Sequence, residues 1–178
     1  NLLFTAGRTP HIVRHMFPDR LRNLAMLILD DAAQARLRIC TAESCTGGLL
    51  AGLLTDIPGS SAVFERGFVT YSNRAKEEML GIAGDVMADY GAVSEPVARM
   101  MAEGALDASR ANISVAITGV AGPGGGTPMK PVGTVHVACA RENRAVIHEM
   151  LQVGDIGREQ IRLAAMECAL KQIQMQIA

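Results

Sequence analysis

The chain has 178 residues, a hydrophobic fraction of 49% and a formal net charge of −1. This length and apolar content favour one domain with an ordinary buried core. The balance of 17 basic and 18 acidic residues, with 3% aromatic residues and no Trp, argues against nucleic-acid binding and against an anionic membrane surface as a partner.

The first 15 residues differ in character from the rest of the chain. Residues 1–15 mix Pro, Arg and His without a period, and we interpret them as a leader left by cloning, with Met16 as the natural start of a single domain over residues 16–178. We expect neither a secretory signal nor a membrane-spanning segment. The four cysteines form no C-x-x-C pair, which predicts reduced thiols of a cytoplasmic protein and no zinc site.

The first half of the domain alternates helices and strands. Apolar residues at three- and four-residue spacing predict a helix over residues 17–34. A short strand follows over residues 37–41, and a second helix is expected from near Thr46 through Leu54. Residues 63–72 are rich in Val, Phe, Thr and Tyr and predict a second strand. Ser72 or Asn73 caps the next helix, which Gly81 ends after residue 80.

The second half adds two helices, a central strand and a hairpin. A Ser-Glu-Pro triplet at residues 94–96 predicts the start of a helix. The nearly all-apolar residues 113–117 predict a central strand. Two further strands, residues 132–140 and 145–151, are expected to form a hairpin around Glu142 and Asn143, and a last helix begins near Arg158. Strands separated by helices and followed by a hairpin predict an α/β sandwich with a mixed sheet.

A cluster of reactive groups lies between the first strand and the second helix, in the segment Thr41-Ala42-Glu43-Ser44-Cys45-Thr46-Gly47-Gly48. At a strand-to-helix turn, free backbone N–H groups can bind an anion or a developing oxyanion. The alternative interpretation is an ordinary helix cap, since Ser and Thr are common at that position.

A glycine-rich loop follows the central strand, from Thr118 to Gly126. Glycines let a backbone approach a ligand closely, and loops at the carboxyl ends of strands are the favoured ligand sites of α/β sheets. No helix follows its G-x-G and no G-K-[ST] is present, so neither a dinucleotide fingerprint nor a Walker loop is indicated. The alternative is a flexible surface loop.

Three kinds of charged or titratable residue have two interpretations each. Lys76 is either a solvated surface lysine or, if buried, a base whose lowered pKa lets it activate a serine. His136 and His148 lie in strand-like runs, where histidine is more often structural than catalytic. Arg158 is either solvated or binds a phosphate or carboxylate.

Several ordered segments together carry a family resemblance. They are Ala42-Glu43-Ser44-Cys45-Thr46-Gly47-Gly48, Pro58-Gly59-Ser60-Ser61, Gly67-Phe68-Val69-Thr70-Tyr71-Ser72-Asn73 with Lys76, Gly91-Ala92-Val93-Ser94, Thr118-Gly119-Val120-Ala121-Gly122-Pro123 and Pro131-Val132-Gly133-Thr134. From residue 17 to its end the chain resembles the CinA C-terminal-domain family, whose active members are nicotinamide-nucleotide amidohydrolases.

The resemblance implies a three-layer α/β/α fold and hydrolysis of the carboxamide of nicotinamide mononucleotide to nicotinate mononucleotide and ammonia. It implies Ser44 as nucleophile, Lys76 as general base and Tyr71 as a residue that assists the proton relay or orients the pair. The partner is then a small nucleotide, and no metal or cofactor is implied. The implied substrate-binding residues are Thr46, Gly47, Ser61, Thr118, Gly119, Ala121, Gly122 and Arg158.

One motif departs from the family pattern, and two other functions stay open. The family usually has Gly-Asp-Arg before the last helix, whereas here Ile156 and Gly157 separate Asp155 from Arg158. The longer members carry an N-terminal domain, whose absence favours a stand-alone deamidase. One alternative is Cys45 as nucleophile with His136 or His148. The other is a nucleotide-binding or regulatory domain of the competence/damage-inducible type without catalysis. Met- and Ala-rich helix faces leave room for a homodimer.

Overall fold

The computed structural model describes residues 15–178, so all but the last residue of the expected leader over residues 1–15 lies outside the described part. The strands are β1 (Ile39–Glu43), β2 (Phe64–Val69), β3 (Ile113–Gly119), β4 (Thr134–Arg141) and β5 (Ile147–Gln152). The helices are α1 (Asp19–Gln34), α2 (Leu49–Thr55), α3 (Asn73–Leu80), α4 (Gly84–Tyr90), α5 (Glu95–Asp107) and α6 (Arg158–Ile177), with a short 3₁₀ helix at Ser60–Ala62.

The strands form one five-stranded mixed sheet in the order β2-β1-β3-β4-β5. Strand β1 pairs in parallel with both β2 and β3, whereas β4 is antiparallel to β3 and β5. The predicted mixed sheet and the late hairpin are confirmed, and β3 is the central strand. The carboxyl ends of β1, β2 and β3 therefore meet at one edge of the sheet, where ligands of α/β proteins usually bind.

Helices cover both faces of the sheet, which confirms the three-layer α/β/α architecture. Ile113, Val115 and Ile117 of β3 belong to one apolar core that includes buried residues of α1, α2 and α6. The opposite face carries small side chains that pack against α5, and the Ser114 hydroxyl donates a hydrogen bond to the Ala102 carbonyl of that helix. Because side chains alternate between the faces of a strand, a single apolar strand contributes to both cores.

Local capping explains where helix α3 begins and ends. The Ser72 hydroxyl accepts a hydrogen bond from the Ala75 N–H at 3.0 Å, and Gly81 ends α3 in the left-handed conformation, as predicted. Helix α4 was not predicted, because Met87 is its one buried residue and so leaves no apolar period. None of the helices within residues 15–178 combines the length and apolarity needed to cross a membrane.

Candidate active site

The predicted nucleophile and base are in direct contact at the carboxyl edge of the sheet. Ser44 follows β1, and Lys76 reaches it from α3 with its Nζ 3.0 Å from the Ser44 Oγ. The same Nζ donates to the Thr70 carbonyl at 2.8 Å. Lys76 is only 1% exposed, and this burial lowers the pKa of its amine from the ordinary lysine value. The interpretation as a solvated surface lysine is therefore wrong.

The Glu43 side chain binds backbone N–H groups at the start of α2. The expectation that the first N–H groups of this helix bind a ligand is therefore wrong. Its buried carboxylate accepts the N–H groups of Gly48 at 3.1 Å, Leu50 at 3.0 Å and Ala51 at 2.8 Å. Helix α2 begins at Leu49 rather than near Thr46, and its first donors are already bound to this carboxylate. They are not available to a ligand. An acidic residue shortly before a predicted helix was the available sequence signal, because a helix N-terminus stabilises a negative charge.

Two backbone N–H groups in the turn between β1 and α2 are not bound by another residue of the described part of the chain. The Ser44 N–H donates to the Ile117 carbonyl at 3.0 Å, and the Gly47 N–H donates to the Ser44 carbonyl at 3.0 Å. Within residues 15–178 the Thr46 N–H has no hydrogen-bond acceptor, and the Cys45 N–H bonds to no residue other than the Cys45 thiol itself. Of the backbone N–H groups in this turn, those of Cys45 and Thr46 are thus the two available to an anion.

A cavity of about 290 Å³ opens beside the Ser44–Lys76 pair. It is lined by the β1–α2 turn, the loop after β3, Tyr71 and the start of α6, with these residues in contact: Ser44, Cys45, Tyr71, Val93, Gly119, Val120, Ala121, Gly122, Gly124, Gly125 and Arg158. Two of the loop glycines that line the cavity show why the loop needs this residue type. A Cβ on Gly119 would lie 2.7 Å from Val135, and one on Gly122, which has φ +76°, would lie 2.7 Å from Val132.

Arg158 and Tyr71 close one side of the cavity. The Arg158 Nη1 donates to the Gly122 carbonyl at 2.8 Å, and its Nη2 donates to the Tyr71 hydroxyl at 3.2 Å. Tyr71 is 62% exposed, and within the described residues its hydroxyl bonds to neither Ser44 nor Lys76. A role of Tyr71 in the proton relay stays a prediction without support from these contacts.

Four of the residues implied in substrate binding do not line the cavity. Thr46 and Gly47 lie in the turn behind Ser44, and Thr118 is buried with its hydroxyl donating to the Ala92 carbonyl at 2.8 Å. Ser61 lies in the 3₁₀ helix before β2, at the opposite edge of the sheet from Ser44. The structure therefore does not bring Ser61 to this site.

The residues of the cysteine-based alternative are not brought together. Cys45 lines the cavity, but its burial raises the pKa of its thiol to about 11. The His136 Nδ1 lies 3.0 Å from the His148 Nε2, and His148 lies 3.6 Å from the Glu95 carboxylate. The two rings thus contact each other, and neither lines the cavity beside Ser44. Burial also lowers the pKa of His136 to about 4. A thiolate–imidazolium pair has no geometric basis here.

One residue that contacts the turn after β1 was given no role in the sequence analysis. Arg162 lies one turn after Arg158 on α6, and its Nη2 donates to the Thr46 carbonyl at 2.8 Å. The four-residue spacing of the two arginines places them on one face of the helix, and this is the signal that was available.

Comparisons with known proteins agree with this architecture. The family described as CinA C-terminal domain matches residues 21–177. A CinA-like protein of Akkermansia muciniphila is 55% identical over 129 residues, which cover 72% of this chain and 31% of that protein. One of Anaeromyxobacter is 50% identical over 165 residues, or 90% of this chain and 40% of that protein. The chain thus spans well under half the length of these relatives.

Solved structures show the same fold. The competence/damage inducible protein CihA from Agrobacterium tumefaciens has a TM-score of 0.89 and 51% identity, covering 92% of this chain and 99% of that one. A CinA superfamily protein from Escherichia coli has a TM-score of 0.83 and 34% identity, covering 93% and 95%.

Proposed function

Since the chain belongs to the CinA C-terminal-domain family, we propose that it hydrolyses the carboxamide of nicotinamide mononucleotide to nicotinate mononucleotide and ammonia, in pyridine-nucleotide recycling. The observation that carries this proposal is the buried Lys76 amine 3.0 Å from the Ser44 hydroxyl at the wall of a cavity. A serine hydroxyl is a weak nucleophile unless a base removes its proton, and a Ser-Lys pair is an established substitute for Ser-His-Asp.

Acylation begins with Lys76 neutral. A neutral amine has one lone pair and two N–H groups, so Lys76 can donate to the Thr70 carbonyl while its lone pair accepts the Ser44 proton. The Ser44 oxygen then adds to the carboxamide carbon. The proton held by Lys76 passes to the amide nitrogen, the C–N bond breaks, and ammonia leaves an ester on Ser44.

Deacylation repeats the same proton transfers with water. Lys76 takes a proton from the water that adds to the ester carbon and returns it to the Ser44 oxygen as the ester bond breaks. The carboxylic acid that forms leaves and releases its proton to solvent as the carboxylate, and the serine hydroxyl is restored. Each half-reaction uses Lys76 first as base and then as acid, so one buried amine is sufficient.

Both half-reactions develop negative charge on the carbonyl oxygen. The N–H groups of Cys45 and Thr46 are the donors of the turn that bind no other described residue, and the residue after a nucleophilic serine is a recurrent oxyanion donor. Arg158 has five N–H donors and uses two of them on Gly122 and Tyr71, so three are left for the phosphate or ribose of the nucleotide.

The deciding experiment measures ammonia release from nicotinamide mononucleotide by the purified protein. Ser44→Ala and Lys76→Ala should each abolish turnover, because the serine is unreactive without its base. Cys45→Ala is the matched control beside the nucleophile and should retain activity. Activity that survives Ser44→Ala but not Cys45→Ala contradicts the Ser-Lys chemistry.

A second candidate is a nucleotide-binding or regulatory domain without catalysis, since the names of the relatives state no enzymatic activity. Some relatives are described as competence-damage inducible proteins, and the chain matches only part of their length. Binding of nicotinamide mononucleotide without ammonia release above the Lys76→Ala background would favour this function.

The proposed function includes a cellular location and an oligomeric state for the protein. We place the activity in the cytoplasm, supported by four buried free thiols, at Cys40, Cys45, Cys139 and Cys168. The homodimer stays a prediction, which a measurement of mass in solution tests.

A further inference from the structure

Arg162 connects α6 to the turn that carries the nucleophile. Helix α6 is a long element anchored by fully buried Ile161, Ala165 and Met166, so the arginine projects from a rigid base. Its half-buried guanidinium donates from Nη2 to the Thr46 carbonyl at 2.8 Å. Its Nε is buried without a partner among the described residues. Unlike Arg158, Arg162 does not line the cavity.

The contact fixes the peptide group that joins Thr46 to Gly47. On one side, the Thr46 carbonyl accepts from Arg162 and from the Leu49 N–H at 3.2 Å. On the other side, the Gly47 N–H donates to the Ser44 carbonyl at 3.0 Å. Both the carbonyl and the N–H of this peptide group are therefore hydrogen-bonded. Thr46 supplies the bonded carbonyl, and its own N–H is one of the two donors available to an anion.

The guanidinium also brings positive charge to the same place. Arg162 and Arg158 each act to lower the pKa of the neighbouring Cys45 thiol, although burial outweighs them. A charge that favours an anion at residue 45 also favours an oxyanion held by the adjacent N–H groups.

We propose that Arg162 is a positioning residue that aims the N–H groups of Cys45 and Thr46 at the developing oxyanion. The inference rests on the proposed function in one respect, that Ser44 is the nucleophile. It separates the two arginines of α6 by role: Arg158 holds the substrate, and Arg162 acts through the backbone of the turn.

The test uses acylation of Ser44 by p-nitrophenyl acetate, which reports on nucleophile and oxyanion donors whatever the natural substrate is. Arg162→Gln should lower the acylation rate by about ten- to a hundredfold, since the loss of one oxyanion donor costs about a hundredfold or more and a misaimed donor costs less. The Kd for nicotinamide mononucleotide should change by less than about twofold, because Arg162 makes no cavity contact.

Matched variants separate positioning from folding. Arg162→Lys should retain an intermediate rate, since lysine keeps the charge but not the planar fork. Guanidinium ion in the assay should restore part of the rate to Arg162→Ala, which a merely unfolded variant would not show. Arg20→Gln, an exposed residue of α1, is the control expected to leave acylation unchanged.

Each outcome is decisive. Acylation by Arg162→Gln at the wild-type rate overturns the inference, as does a loss that only follows the fraction of folded protein. A wild-type Ser44 that does not react with the ester overturns it together with the Ser-Lys chemistry. A protein that reacts with the ester but releases no ammonia from nicotinamide mononucleotide refutes the proposed function alone, and the comparison of Arg162 variants still decides this inference.

Discussion

Replacement of Glu43 by Gln should destabilise the protein strongly although the two side chains have nearly the same shape. The buried carboxylate accepts three backbone N–H groups at 2.8–3.1 Å and the Thr41 hydroxyl at 3.3 Å. An amide keeps one oxygen, and its NH₂ group then faces at least one backbone donor. The N–H of Ala51, or those of Gly48 and Leu50, lose their acceptor.

The expected cost follows from the number of bonds lost. A hydrogen bond to a charged group contributes about 1.5–3 kcal/mol, and a buried unsatisfied donor costs a similar amount. One lost oxygen therefore lowers the free energy of unfolding by about 2–4 kcal/mol. For a chain of this size each kcal/mol shifts Tm by about 2–4 °C, so Tm should fall by roughly 5–15 °C.

The assay is thermal and urea unfolding of Glu43→Gln beside Glu78→Gln. Glu78 is exposed on α3 and pairs with Arg74 four residues earlier, so its replacement should change the free energy of unfolding by no more than about 0.5 kcal/mol. If the two variants unfold within about 0.5 kcal/mol of each other, the Glu43 carboxylate does not stabilise the turn. Ammonia release by Glu43→Gln should also fall, since Ser44 is the next residue.

Four further predictions follow from the same geometry. The pH profile of kcat/KM, measured from initial rates, should fall on its acid side with a midpoint below the ordinary lysine pKa of about 10.4. The reason is that burial lowers the pKa of Lys76 and only its neutral amine accepts a proton. A midpoint at or above about 10.4 contradicts the role of Lys76 as base. Between the lowered pKa and about pH 10.4 the unfolded chain binds the Lys76 proton and the native state does not, so stability rises with pH in wild type; urea midpoints across this range should show a smaller rise for Lys76→Met. Arg158→Gln should raise KM for nicotinamide mononucleotide about tenfold or more with a smaller change in kcat, as a lost charge-assisted contact requires, and an unchanged KM in steady-state kinetics would exclude Arg158 from binding. Gly104→Ala should lower the unfolding free energy by about 1–3 kcal/mol in urea, because its Cβ would lie 2.1 Å from the Leu80 carbonyl, whereas Gly124→Ala meets open space and should be nearly neutral.

Elements with local signals were predicted well. Helix α3 lies between the residues expected to cap it, since a Ser cap and a left-handed Gly act within a few residues of the ends they define. Helix α4 left no such signal, and α2 was predicted to begin three residues early. The carboxylate that fixes the start of α2 belongs to the preceding strand, and its hydrogen bonds cannot be inferred from helix periodicity.

The residues alone were enough to predict which segments would carry the proposed chemistry. Ser44 lies at a strand-to-helix turn, Lys76 on a helix with clear caps and residues 119–122 in a glycine-rich loop, and each is recognisable from its neighbours in the chain. The contacts between these groups could be found only in the folded chain. It buries the Lys76 amine 3.0 Å from a hydroxyl 32 residues away, assigns the first donors of α2 to Glu43, directs Tyr71 to Arg158 and places Arg162 behind the turn. Desolvation and hydrogen bonding depend on distances between atoms far apart in the chain, and no local pattern of residue types specifies those distances.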